Sequence, residues 1–278
     1  MPDMHEDHNR IIEELKHQQI SERKAKAKPK AVILCGQSGS GRSSQMPMIM
    51  HEFSGSGAVL LDERQRQDKL QSLFEEALHG KKNLVINATL PNSEMLKKLR
   101  EEGYTTSVYV VSAHERESLL SLYQKNEGQL AARGIGDKLK LAEHDEIYMK
   151  LPETLQHVEE EGLTDEIVIR DRKDNEIYSN HQVNGVWEKE PQSSEALEVS
   201  RNRVWTAEEI ANYQEDWQEV IRSMYARGAS PKEIDEAERV RDRCLKSIRR
   251  LFPEKIAELN KVEENEIDSA VSLLKNPR

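Results

Sequence analysis

The stretch Ala31-Val32-Ile33-Leu34-Cys35-Gly36-Gln37-Ser38-Gly39-Ser40-Gly41-Arg42-Ser43-Ser44 decides the fold of this 278-residue chain. Its first five residues are a continuous apolar run of strand length, which a sheet buries on both faces. The spacing that follows, G-x-x-x-x-G-R-S, differs at one place from the phosphate-cradling pattern G-x-x-x-x-G-K-[ST]. The glycines let consecutive backbone amides converge on a phosphate, and the next helix presents its positive dipole end to the same point. Gly36, Gln37, Ser38, Gly39, Ser40, Gly41, Arg42, Ser43 and Ser44 are therefore the candidate nucleotide-binding residues, with Ser43 offering an oxygen to Mg²⁺. A Gly/Ser-rich turn without a ligand is the plainer alternative. Arg42 is the departure from the pattern, because a planar guanidinium does not replace the compact charge of a lysine. Pro47, about one turn into the helix, predicts an irregular helix start.

Outward from this stretch, Ala58–Leu61, Asn83–Ile86, Ser107–Val111 and Glu166–Ile169 repeat the apolar strand character, and Glu176–Tyr178 adds a short edge strand. Helical periodicity separates them over residues 66–79, 93–102, 114–131 and 144–161. Strands alternating with helices imply crossover units, hence an α/β fold with a mainly parallel sheet flanked by helices. After Asn180 the strand signal ceases. Pro191-Gln192-Ser193-Ser194 leads into an all-helical extension, opened by the capping box Thr206-Ala207-Glu208-Glu209 and closed at Gly228. Ser230-Pro231-Lys232-Glu233 starts a second such helix, and Pro253 a third, running to about Leu274. The expected units are residues 1–28, a short amphipathic helix over 8–20 and a basic linker; 29–185, the α/β domain; and 186–278, the helical region.

Composition narrows the function. Charged residues make up 33% of the chain and aromatics 5%, which suits solvated helices better than a large sheet sandwich. The formal charge of −10 argues against gripping a nucleic-acid backbone. The basic run Arg23–Lys30 reads as a solvated linker. Cys35 and Cys244, far apart, offer neither a disulfide framework nor a metal cluster, which points to a reducing compartment. No stretch approaches the roughly 20 apolar residues of a membrane span, and the amino terminus lacks a basic start followed by an apolar core. The expected setting is cytoplasmic, with neither nucleic acid nor membrane as partner.

Several further stretches, in order and spacing, resemble one family: Asn83-Leu84-Val85-Ile86-Asn87-Ala88-Thr89-Leu90, Glu102-Gly103-Tyr104, His144-Asp145-Glu146-Ile147-Tyr148, Leu151-Pro152-Glu153-Thr154-Leu155, Asp171-Arg172, and Arg201 through Glu209. From about Arg10 to Ala229 the chain resembles the zeta-toxin family of bacterial P-loop kinases, whose members phosphorylate UDP-N-acetylglucosamine or related sugar nucleotides. The resemblance implies ATP and Mg²⁺ as cofactors, a sugar nucleotide as acceptor, and an antitoxin or another protein as partner. It assigns the general base to Asp62 in Asp62-Glu63-Arg64-Gln65-Arg66, where the family's second aspartate is missing; a solvated turn is the alternative there.

Asn87 and Thr89 stand at the family's Glu-Gly-Thr-Leu segment, so the substrate-holding position keeps hydrogen bonding but loses charge. Lys125 takes the place of an arginine, and Gly136-Asp137 reverses the sign of a Gly-Arg pair. Arg172 matches the family's arginine after the last strand, and serves either phosphate or structure. For His144-Asp145 a local structural role is expected. Trp187, Trp205 and Trp217 are expected as packing anchors. Because Arg42, Asn87, Lys125 and Asp137 all depart from the family at once, a catalytically silent relative, acting as a nucleotide-binding or protein-interaction module, is the alternative to an active kinase. A regulator that binds no nucleotide is a third.

Overall fold

The computed structural model describes residues 28–259 and 261. Helix 8–20 and the end of the helix expected after Pro253 lie outside these residues, although 253–259 are helical. The strands are β1 (Lys30–Cys35), β2 (Val59–Asp62), β3 (Leu84–Asn87), β4 (Thr105–Val111), β5 (Glu166–Arg170), β6 (Glu176–Val183) and β7 (Val186–Trp187). They form one seven-stranded sheet in the order β2-β3-β1-β4-β5-β6-β7. The first five pair in parallel, and β6 and β7 add on antiparallel. The helices are α1 (Arg42–His51), α2 (Gln67–His79), α3 (Ser93–Glu101), α4 (Glu115–Arg133), α5 (Leu141–Glu160), α6 (Ser193–Arg201), α7 (Ala207–Ala226) and α8 (Pro231–Leu251).

Alternation along β1 sets the layers. Ala31, Ile33 and Cys35 face a core completed by α2, α3, α5 and α6 through Phe74, Leu96, Leu155 and Leu197. Val32 and Leu34 face the opposite side, where Ile49 and Phe53 at α1 cover them. The helical extension makes a third cluster with α4: Leu119, Leu120 and Tyr123 pack against Trp217, Val220 and Ile221 of α7 and Ile234, Val240 and Cys244 of α8. The rings of Tyr123 and Trp217 lie 5.2 Å apart, at a tilt favoured by aromatic pairs. Both capping boxes form, and Pro231 occupies the first turn of α8. Cys35 and Cys244 are free and buried.

One local expectation changes. The strand signal continues past Asn180: β6 reaches Val183 and turns back as β7. The turn is Asn184-Gly185, both at positive φ (53° and 80°), the two-residue hairpin connection that an Asn-Gly pair favours. Pro47 lies inside α1 without ending it. The bond it forgoes would have gone to the carbonyl of exposed Ser43, which water can satisfy, and the first turn tightens instead through Ser44 N–H to Gly41 O at 2.9 Å.

Candidate active site

The site lies at the carboxyl ends of β1, β2 and β3, where open parallel sheets bind ligands. As β1 ends, the Gly36 amide donates to Thr89 O at 3.2 Å, tying the loop to the segment after β3. A Cβ on Gly36 would lie 2.6 Å from Ser40 Oγ, and one on Gly39 2.1 Å from the Ser118 carbonyl of α4, so both positions exclude any side chain. Gly41 caps α1 at φ 110°. Inside the bend, Ser40 N–H donates to Gln37 O at 3.0 Å. Among the described residues, nothing accepts from the amides of Gly39, Gly41, Arg42 and Ser43. Their donors remain free at a helix N-terminus, which is the arrangement that receives an anion.

The loop's side chains do not use those amides. Gln37 is fully buried, donating to Ala113 O at 2.7 Å and Ser118 Oγ at 3.3 Å and accepting from Arg201 Nη2 at 3.1 Å. Ser118 Oγ also meets His144 Nε2 at 2.8 Å, and His144 Nδ1 meets Asp145 Oδ1 at 2.9 Å. Asp145 accepts from Arg243 Nη1 of α8 at 2.9 Å. His144 is thus a strut beneath the loop. Burial lowers its pKa, opposed by Asp145, and keeps the imidazole neutral. Arg172 crosses the tip of α1, its Cγ 4.0 Å from where a Gly41 Cβ would stand, and its Nη2 donates to Ser121 Oγ at 2.6 Å. Arg170, the neighbouring cation, turns instead to Asp174 at 3.1 Å and Glu176 at 3.8 Å.

Facing the loop is a rim of side chains that bond one another. Strand register sets Asp62 beside Asn87. Asp62 Oδ1 accepts from Arg64 N at 3.0 Å and Nε at 2.8 Å, and Oδ2 accepts from Arg64 Nη2 at 2.5 Å and Asn87 Nδ2 at 2.8 Å. Arg64, followed by Asn87, holds the Asp62 carboxyl well below the usual carboxylate range despite partial burial. Arg42 Nη1 leans away from the loop amides, donating to Asn87 Oδ1 at 3.0 Å and Glu63 Oε1 at 3.2 Å. Glu63 Oε2 accepts from Thr89 N at 2.7 Å and Thr89 Oγ1 at 3.1 Å. Lys125 pairs with Asp137 at 3.2 Å. Asp137 also accepts from Gln129 and adds to the negative field around Arg64.

The fold therefore gathers the loop residues, Arg42, Asp62, Asn87, Thr89 and Arg172, while Lys125 is spent on Asp137. Sequence reasoning missed Glu63 and Arg64 as bridging groups, Ser121 as the partner of Arg172, and Arg201 as the support of Gln37. Glu63 and Arg64 carried one legible signal: both follow Asp62 directly, at a strand end. The three tryptophans pack as expected, Trp205 and Trp217 in the helical cluster and Trp187 against the sheet core with Nε1 donating to Glu159 O at 2.7 Å.

Amides without acceptors at the start of α1 thus stand across from the Asp62 carboxylate at the end of β2. The residues present fit a Mg²⁺-nucleotide: Ser43 is exposed at the first turn of α1, beside the free amides. The family model for Zeta toxin matches residues 63–182, beginning one residue beyond Asp62. Two similar proteins are both described as Toxin zeta. That of Streptococcus pyogenes is 26% identical over 232 residues, covering 73% of this chain and 78% of its own. That of Enterococcus hirae is 25% identical over 232 residues, covering 73% and 79%. A solved chain from the PezAT chromosomal toxin-antitoxin system of the human pathogen Streptococcus pneumoniae superposes with a TM-score of 0.55 at 18% identity, covering 75% of this chain and 97% of that one.

Proposed function

We propose, for a chain that belongs to the zeta-toxin family, that it binds ATP at the loop and transfers the γ-phosphoryl group to a hydroxyl of a sugar nucleotide such as UDP-N-acetylglucosamine. The observation that carries the reading is the set of free amides at Gly39, Gly41, Arg42 and Ser43, flanked by Arg42 and Arg172. In this reading the acceptor hydroxyl attacks the γ-phosphorus and gives its proton to Asp62, and the bond to the β-phosphate oxygen breaks as ADP leaves. Arg42 and Arg172 neutralise charge on the transferred group, and Lys125 joins them by letting go of Asp137. Ser43 would hold Mg²⁺, which would supply neutralisation of the phosphate charge.

A second reading, the catalytically silent relative, has its own support. The Asp62 oxygens accept four hydrogen bonds, about as many as a carboxylate has lone-pair sites, so a base there must first release Arg64. That residue is 60% exposed. Such a relative would act through nucleotide-gated or simple protein contacts. In either reading we propose a protein partner, an antitoxin if the chain is toxic.

Mixing the protein with ATP, Mg²⁺ and UDP-N-acetylglucosamine and following phosphorus signals separates the two. Formation of ADP with a new sugar phosphate, abolished in Asp62→Asn, is the expected result. ATP bound without turnover establishes the silent form. No binding of ATP at all removes both.

A further inference from the structure

Arg42 stands where the phosphate-loop pattern has lysine, and an arginine there has a geometric problem. It is longer and planar, and its donors form a rigid fork, so pointing it at a phosphate requires that something fix the plane. The structure provides a holder. The Glu63 backbone is pinned to β3 by Glu63 N–H donating to Asn87 O at 3.1 Å. From there its carboxylate spans two groups: Oε2 takes the Thr89 amide and hydroxyl at 2.7 and 3.1 Å, and Oε1 takes Arg42 Nη1 at 3.2 Å. Asn87 Oδ1 takes the same Nη1 at 3.0 Å. One nitrogen of the guanidinium is thereby gripped from two sides, and the Arg42 side chain is only 11% exposed. Among the described residues, Arg42 Nε and Nη2 have no acceptor, so two donors of a planar fork are left for a ligand.

We infer that Glu63 is the positioning residue of this site: with Asn87 it anchors Arg42 by one nitrogen so that the other two address the β- and γ-phosphates of a bound nucleotide. The inference rests on the nucleotide-binding reading above. It makes Arg42, Glu63 and Asn87 one unit, in which arginine at the lysine position is matched to its neighbours. A lysine placed there cannot donate to Glu63 and Asn87 and also reach the phosphates from a second planar donor, so Arg42→Lys impairs the site.

Calorimetric titration of the full chain with ATP and with AMP, which lacks the β- and γ-phosphates, tests this in wild type, Glu63→Gln, Arg42→Lys and the double variant. Simple electrostatics predicts that removing the Glu63 charge tightens ATP. Positioning predicts the opposite sign: Glu63→Gln weakens ATP roughly tenfold and leaves AMP within about twofold. In the Arg42→Lys background, itself weakened by a similar factor, the second substitution adds less than about twofold, because the unit is already broken. ATP binding unchanged or tightened in Glu63→Gln, an equal loss with ATP and AMP, or an equal loss in both backgrounds overturns the inference while leaving the nucleotide reading intact. A wild-type chain that binds AMP and ATP with the same affinity, or neither, overturns both.

Discussion

The two halves of the site are built on opposite terms. The loop half is backbone: the amides of Gly39, Gly41, Arg42 and Ser43 have no acceptor among the described residues, and the Gln37 side chain is turned into the protein and held there by Ser118, Ala113 and Arg201. The rim half is side chain: Asp62, Glu63, Arg64, Asn87 and Arg42 are bonded to one another. An anion can enter the first without displacing anything. The second must trade partners before it can do chemistry, so the proposed binding and transfer should be separable.

The sharpest separation, and the largest effect, comes from the loop. Gly39→Ala places a methyl 2.1 Å from the Ser118 carbonyl in a backbone with φ 80°. It should remove ATP binding and lower stability by roughly 3 kcal/mol or more, measured by calorimetry and urea denaturation. On the rim, Asp62→Asn should leave ATP affinity within about twofold while reducing sugar-nucleotide phosphorylation by roughly 10²–10⁴-fold, a general base's usual contribution. A parallel loss of ATP binding would mean that the halves are not separable. Arg64→Ala frees one acceptor site on each Asp62 oxygen, the backbone N–H bond to Oδ1 remaining, and should raise turnover by a few fold, with at most about 1 kcal/mol of stability lost because that arginine is largely exposed. If turnover falls instead, Arg64 is itself a ligand of the acceptor.

The smallest effect is a pH dependence that senses the buttress under the loop. Burial, with Arg116 and Arg201 nearby, pushes His114 down to about 3, and burial also lowers His144. Between the ordinary histidine value near ~6.5 and those depressed values, only the unfolded chain takes up protons at these residues. Stability should therefore fall as pH is lowered below about 6.5, continuing towards 3 for His114. The depressed Asp62 acts in the same direction further down: its stabilisation is full above the unfolded value near ~3.9 and is lost as pH falls below it. Melting temperatures across this range provide the check, and a flat profile down to pH ~5 would contradict the buried neutral imidazoles.

What could be read from the chain follows the same division. The continuous apolar runs and the glycine spacing specified β1, the loop and α1, because they are local patterns with local causes. The β6–β7 hairpin was equally local, and Asn184-Gly185 is its signal, but polar β6 residues such as Ser179, Asn180, His181 and Gln182 hide the strand from a search for apolar runs. Arg172 was legible as a cation after the last parallel strand; its partner Ser121 was not, since that contact depends on how α4 crosses the sheet. The grip of Glu63 on Arg42 and Thr89 needed the register Asp62↔Asn87, which no single segment encodes. Arg201 came from the tail resemblance, yet its contact with Gln37 spans 164 positions and is set by tertiary packing.

The most direct trial of the account is the structure of the protein with a non-hydrolysable ATP analogue and Mg²⁺. It should place β-phosphate oxygens within roughly 3 Å of the Gly39, Gly41, Arg42 and Ser43 amide nitrogens. A triphosphate seated elsewhere on the chain, or those four amides still facing solvent at saturating analogue, would contradict it.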